Sequence, residues 1–245
     1  FTAVVALALV EIGRLSLDES VGQIDPRFVH LQNVSVGDVL GFRVSLQTPG
    51  RIDTAPTREE GLRRLFGVAV CPTPAIRVYS DMNAMVVKYV IEAKTGLGLF
   101  DAIQTWILSP AGMPETFAAV PETLRGRCVC YNYEHRIEGE RRILRTDTPC
   151  GLPHDPKALL LGDGGRDLCG HAGLFSTRKD MVRFAQALLS GELLRRETLC
   201  EIGVNRTGFS HGDGTYRQYL GYLCFAKHPL QRLSEVPHWM GARSI

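Results

Sequence analysis

Tyr79-Ser80-Asp81-Met82-Asn83 opens the most strongly patterned stretch of the chain, which runs through Ala84-Met85-Val86-Val87-Lys88-Tyr89-Val90-Ile91 to Thr95-Gly96. Apolar residues at Met82, Met85, Val86, Val87, Tyr89, Val90 and Ile91 cover more than one helical face, which predicts a buried helix over 82–95 that Gly96 ends. Ser80 and Asp81 suit the cap of that helix. By itself a Tyr at such a boundary is a packing residue with a polar tip.

Outward from this helix, Leu99 to Leu108 reads as another, with Phe100, Ile103, Trp106 and Ile107 on one side and Pro110 as its stop. Thr57-Arg58-Glu59-Glu60 has the form of a capping box before Leu62, Leu65 and Phe66. A short extended piece or turn over 34–40 leads into a helix at 37–42. Thr177 and Asp180 start a further helix, with Met181, Phe184, Ala185 and Leu188 as its stripe and Gly191 as its stop. Tyr219-Leu220-Gly221-Tyr222-Leu223-Cys224-Phe225 reads as a buried strand, whose open edge would drive association. Residues 121–165 read as irregular. Helices dominate the middle and strand signal comes late, so the class is α+β.

The chain has 245 residues, 44% hydrophobic and 22% charged, with 28 basic against 26 acidic side chains. Such a chain buries a large core, and a net charge of +2 gives no electrostatic reason to propose nucleic acid as a partner. No apolar run reaches the ~18 residues of a membrane span. The run from Phe1 to Val10 lacks a signal-peptide cleavage pattern and reads as a buried helix with Gly13 near its C-cap. Neither end has capping or tail-like composition, so the chain reads as a piece of a longer one. Seven irregularly spaced cysteines read as mostly buried free thiols, which points to a reducing compartment, the cytoplasm. His154 and His171 with Asp155 and Asp163 lack metal-specific spacing, and Gly162-Asp163-Gly164-Gly165 lacks the Lys-Ser/Thr of a phosphate loop, so no metal or cofactor is expected.

Four segments, in order, resemble the serine β-lactamase-like family of class C β-lactamases, penicillin-binding carboxypeptidases and esterase relatives. Phe1 to Asp18 is similar to the helix after that family's S-x-x-K motif, and Tyr79-Ser80-Asp81 resembles its second motif. Ser109-Pro110-Ala111-Gly112-Met113-Pro114-Glu115-Thr116 resembles its P-L-G-M-x-x-T stretch. His154-Asp155 with Ala158, then Gly170-His171-Ala172-Gly173-Leu174-Phe175-Ser176-Thr177, is similar to its most specific signature. The resemblance implies a β-lactamase/transpeptidase-like α+β fold, with an antiparallel sheet flanked by helices and a mainly helical region. Residues 1–245 would form one domain truncated at both ends, 15–170 being its helical and loop region and 171–245 the start of its sheet-associated part.

The resemblance also implies a serine hydrolase that forms an acyl-enzyme with a small-molecule ester, β-lactam or D-amino-acid peptide. Tyr79 would be its general base and acid, Asp81 its partner in catalysis, and His171 and Asn83 its substrate contacts. A phenol of pKa ~10 needs a nearby cation to act as a base at neutral pH. The S-x-x-K motif would fall just before Phe1 and the third motif just after Ile245, so the piece by itself is expected to be inactive. Asp81 stands where the lactamase branch has Asn. An ionised Asp accepts hydrogen bonds but donates none, which favours esterase- or peptidase-like chemistry over β-lactam hydrolysis. For Asn83 a structural role is favoured over the substrate contact. The rival reading is a catalytically silent ligand-binding or sensor module of the same fold. A Tyr79 ring buried in apolar contacts and turned from the first helix would leave an architecture without the chemistry.

Overall fold

The computed structural model describes residues 1–72, 79–129, 134–138, 141–145, 150–163, 167–211, 213 and 217–226. Helix α1 (Thr2–Glu11) is buried on nearly every face from Thr2 to Leu9, and Gly13 follows its end at φ +70°. It lies against α5 (below) in the centre of the core. Next come α2 (Val21–Ile24) and α3 (Val36–Leu40). The helix expected at 37–42 thus starts one residue earlier, because Ser35 and Asp38 form a full capping box.

Strand β1 (Leu46–Gln47) leads through a 3-10 turn at Ile52–Thr54 into α4 (Arg58–Phe66), and β2 (Ala69–Val70) returns to pair antiparallel with β1, Leu46 opposite Val70. Thr57 caps α4 by accepting from the Glu60 N–H. The Glu60 carboxylate turns instead to Arg63 and Arg64, so only half of the expected box forms.

Helix α5 (Asp81–Thr95) confirms the strongest sequence signal: Asn83 to Ile91 are buried, and Gly96 closes the helix at φ +72°, a left-handed geometry that favours glycine. Helix α6 (Leu99–Ile103) widens into a π-turn at Gln104–Leu108, where one continuous helix was expected. Residues 121–165 are not irregular throughout. They hold α7 (Glu122–Arg125), an antiparallel hairpin of β3 (Glu134–Glu138) and β4 (Arg141–Arg145), and α8 (Pro156–Leu161).

Helix α9 (Arg178–Leu189) buries Asp180, Phe184, Ala187 and Leu188, while Met181 is exposed, so its stripe is rotated from the expected one. The Asp180 carboxylate does not close a box on Thr177. It accepts from the Glu115 N–H at 2.7 Å and the Thr116 hydroxyl at 3.0 Å, which fastens the 109–116 segment to α9. Helix α10 (Arg196–Ile202) follows.

The expected strand at 219–225 is a tight loop. A single bridge joins Leu220 to Phe225, the Gly221 N–H donates to the Cys224 carbonyl, and Leu223 adopts φ +49°. With its backbone turned on itself, the segment offers no open strand edge, and the association expected from one loses its basis. Among the described residues the paired strands all precede residue 171. Cys169, Cys200 and Cys224 are free thiols, Cys169 is buried while Cys71, Cys128, Cys200 and Cys224 are half-buried, and Cys150 is disulfide-bonded. The free-thiol premise for a reducing compartment therefore fails at Cys150. Cys130, Gly164-Gly165 and the carboxy-terminal Met240–Ile245 lie outside the described residues. No described helix is long and apolar enough to cross a membrane.

Candidate active site

The site gathers at the amino-terminal end of α5. Ser80 caps this helix through the Met82 N–H, which fixes Tyr79 just before the first turn and Asp81 on it. The Tyr79 ring is half-buried, with Phe42 and Phe225 each 5.5 Å away, the latter nearly parallel at 12°. The Tyr79 N–H donates to Gln218 Oε1 at 3.0 Å. Ring packing and this backbone bond fix where the phenol ring sits.

Asp81 points to Lys157, whose Nζ is 2.6 Å from Asp81 Oδ2 and 3.8 Å from Asp155 Oδ2. Asp155 is the cap of α8. Its Oδ1 accepts from the N–H groups of Lys157 and Ala158, each at 2.9 Å, and Pro156 occupies the helix start, where a missing N–H costs nothing. The same oxygen lies 2.9 Å from His171 Nε2, although the ring N–H is not aimed along that line. His171 is 7% exposed, and its Nδ1 meets no hydrogen-bond partner among the described residues. Burial by itself would raise the Asp155 carboxyl, but the His171 contact, the Ala158 N–H and the Lys157 charge together hold it well below the ordinary carboxylate range. Burial opposes the Lys157 ammonium, yet its bond to Asp81 and the fields of Asp81, Asp155 and Asp53 raise it above the usual lysine value.

His171 is placed by the turn that precedes it. Gly170 has φ +100°, and a Cβ there would stand 2.5 Å from the Ala84 carbonyl oxygen, so only glycine lets this loop lie on α5. The Thr2 hydroxyl donates to the Gly170 carbonyl at 2.6 Å, which ties the amino-terminal end of α1 to the His171 loop. Below the loop, the buried Lys88 ammonium joins Glu92 at 2.8 Å and Asp167 at 2.7 Å.

Of the four residues singled out in the sequence, the structure brings Asp81 and His171 together through Lys157 and Asp155, with Tyr79 two residues from Asp81. Asn83 sits apart. It is fully buried and its amide donates to the Val39 carbonyl at 2.7 Å, joining α5 to α3. This placement fits the structural role. His154 is exposed and outside the cluster. Asp81, Asp155 and His171 offer ligand atoms within 4.8 Å of one another, a spacing suited to a cation, and the Lys157 ammonium is set against the two carboxylates. Sequence reading missed Lys157. Its signal was a cation in the first turn of a helix, where the macrodipole disfavours positive charge unless an acid compensates.

Beside Lys157 lies a cavity of about 500 Å³, lined also by Leu46, Gln47, Thr48, Asp53 and Met82. The chain thus presents a tyrosine, a charged relay and a cavity at one helix terminus, on the fold of serine β-lactamases and penicillin-binding proteins. That fold is shared with FmtA from Staphylococcus aureus (TM-score 0.64, 15% identity, covering 92% of this chain and 58% of that one). It is also shared with the D-amino acid amidase from Ochrobactrum anthropi SV3 (TM-score 0.61, 20% identity, 91% and 63%).

The chain belongs to the Beta-lactamase family, whose model matches residues 1–241. This is a family of hydrolases. A protein of Salmonella paratyphi B described as "Putative D-alanyl-D-alanine carboxypeptidase" is 31% identical over 121 residues, which cover 46% of this chain and 27% of that protein. The chain therefore matches about a quarter of the length of that curated relative.

Proposed function

We propose that this chain supplies the tyrosine-bearing wall of a serine hydrolase that acts through an acyl-enzyme on D-amino-acid amides, peptides or esters. The observation that carries the proposal is the convergence of three segments far apart in sequence, 79–81, 155–157 and 170–171, through Asp81, Lys157, Asp155 and His171. A core needs no such chain of charges; an acyl-transfer site uses one to hold a base and to stabilise developing charge.

In this reading Tyr79 takes the proton of the attacking serine hydroxyl and returns it to the leaving group. Asp81 and Lys157 hold the α5 terminus against α8. His171, fixed by Gly170 and Asp155, borders the floor. The tie from Thr2 to Gly170 supports the geometry, because it sets the amino-terminal end of α1 beside the His171 loop. The D-configured substrate class is supported by what the Ochrobactrum and Salmonella relatives are named for.

The test is hydrolysis of D- and L-alanine p-nitroanilides by the protein that contains this chain. Turnover of the D-form with preference over the L-form is expected, and Tyr79→Phe should lower kcat at least ~100-fold with little change in KM. Equal kcat in Tyr79→Phe and wild type would remove Tyr79 from the chemistry. Reversible ligand binding with no turnover would favour the silent-module reading.

A further inference from the structure

We propose that a second cavity, enclosed by α6, the 109–117 segment and α9, is a binding site for a monocarboxylate with an aromatic or alkyl body. It is independent of the hydrolase reading, and its lining shares no residue with the cavity beside Lys157. Its volume is about 580 Å³, within the ~300–1,000 Å³ of small-molecule sites.

The space arises from an irregularity in one helix. At Gln104–Leu108 the helix widens to a π-turn, and the Ser109 N–H reaches back to the Gln104 carbonyl at 2.9 Å. Such turns give up regular helical bonding and recur at functional sites. Gly112, at φ +62°, then reverses the chain. The returning segment is held on its other side. Asp180 fastens residues 115–116 to α9, and Phe117 exchanges both backbone hydrogen bonds with Phe175 at 2.8 Å. The walls therefore stand before a ligand arrives, which spares binding the cost of ordering them.

Phe100, Leu108, Met113, Pro114 and Phe117 make the wall mainly apolar, and Arg183 is its one charged residue. The Arg183 Nη1 donates to the Gly112 carbonyl at 2.6 Å, which holds the guanidinium in place. The same nitrogen is 3.4 Å from Asp180 Oδ1, a long contact to a carboxylate whose shorter bonds go to Glu115 and Thr116. The Arg183 Nε and Nη2 have no partner among the described residues. That edge carries two parallel N–H donors, the geometry that matches both oxygens of a carboxylate. One cation, partly offset by Asp180, matches one negative charge, and the apolar wall takes the body attached to it.

The experiment titrates the protein that contains this chain with 4-phenylbutanoate and 4-phenylbutanamide, followed by NMR. The two probes share a body and differ in charge. Wild type should bind the acid at least about five-fold more tightly, the difference between a charged and a neutral hydrogen-bonding partner. The Met113 methyl and Phe117 ring signals should move, and the Tyr79 ring signals should not. In Arg183→Gln the acid-to-amide ratio should fall below about two while the amide binds as before. Ser109→Trp, at an exposed position on the cavity wall, should weaken both probes at least about ten-fold by filling the space.

A wild-type ratio near one, a ratio in Arg183→Gln equal to wild type, or full binding in Ser109→Trp would overturn the assignment. Shifts at Tyr79 without shifts at Met113 would place the acid in the hydrolase site and overturn it too. The wild-type ratio and Ser109→Trp decide the matter even where Arg183→Gln fails to fold. Fluorophosphonate labelling bears only on the hydrolase, so the two claims fail separately.

Discussion

Asp180→Ala removes the carboxylate that fastens residues 115–116 to α9, and its cost follows from the bonds it makes. Asp180 is fully buried and accepts from the Glu115 N–H at 2.7 Å and the Thr116 hydroxyl at 3.0 Å. Hydrogen bonds to a charged group contribute about 1.5–3 kcal/mol each. Thr116 keeps a second partner, Ser176 at 2.8 Å, so its loss falls at the low end, while the Glu115 N–H gains no replacement. The Arg183 contact at 3.4 Å is long and half-exposed and adds little. Alanine recovers about 0.5 kcal/mol of helix propensity. The balance is a loss of about 3 kcal/mol, or about 6–12 °C in Tm for a chain of this size. Urea denaturation followed by near-UV circular dichroism reads it directly. Asp180→Asn, which keeps the shape and one acceptor, should lose about half as much. A loss below about 1 kcal/mol for Asp180→Ala, or equal losses for both variants, would refute the reasoning.

Three further outcomes follow from the packing. Lys88→Met should cost about 2–3 kcal/mol, less than a fully buried pair because Glu92 and Asp167 retain solvent contact. Burial opposes the Lys88 charge, but Glu92 and Asp167 raise its pKa overall, so its stabilising contribution is complete below about pH 10 and lost as pH rises through the folded value. Alkaline unfolding curves of wild type and Lys88→Met should therefore converge as pH rises beyond the ordinary lysine range, and parallel curves would count against the triad. Asp155 has a depressed pKa, so its contribution is present above about pH 4 and lost as pH falls through the folded value. Acid titration of Asp155→Asn should show a shallower stability loss below about pH 4 than wild type. Gly170→Ala forces a Cβ to 2.5 Å from the Ala84 carbonyl oxygen at φ +100° and should cost at least ~2 kcal/mol. Its thermal shift and the His171 imidazole NMR signals should move together, and movement of neither would show that the loop tolerates the methyl.

What was legible in the sequence was written in local chemistry. Helix α5 announced itself because an all-round apolar run ended at Gly96, and α1 likewise at Gly13. Thr57 and Thr177 marked helix starts, whereas the Ser35–Asp38 box, which starts α3 one residue earlier than expected, carried no such reading. Errors arose where partners distant in sequence decide. Asp180 looks like a solvent-facing first-turn acid, yet residues 115–116 draw it inward and rotate the buried stripe of α9 away from Met181. Residues 219–225 have strand composition, but the carbonyl of Ile202 lies where a Cβ at Gly221 would stand (2.1 Å), and the chain must turn there. Asn83 is polar, follows the Tyr79-Ser80-Asp81 segment closely and still serves α3. In the cluster at the start of α5, Tyr79, Asp81 and His171 carry a motif signal in the sequence. Lys157 does not, because its role exists only once α8 lies across the start of α5.

The central claim is that the start of α5, the cap of α8 and the Gly170–His171 turn make one acyl-transfer site. Intact-mass spectrometry of the protein that contains this chain, after reaction with a fluorophosphonate, tests it most directly. The account predicts a single adduct on one serine, formed at least ~100-fold more slowly in Tyr79→Phe. No adduct, or one that forms at the same rate without the phenol, would contradict it.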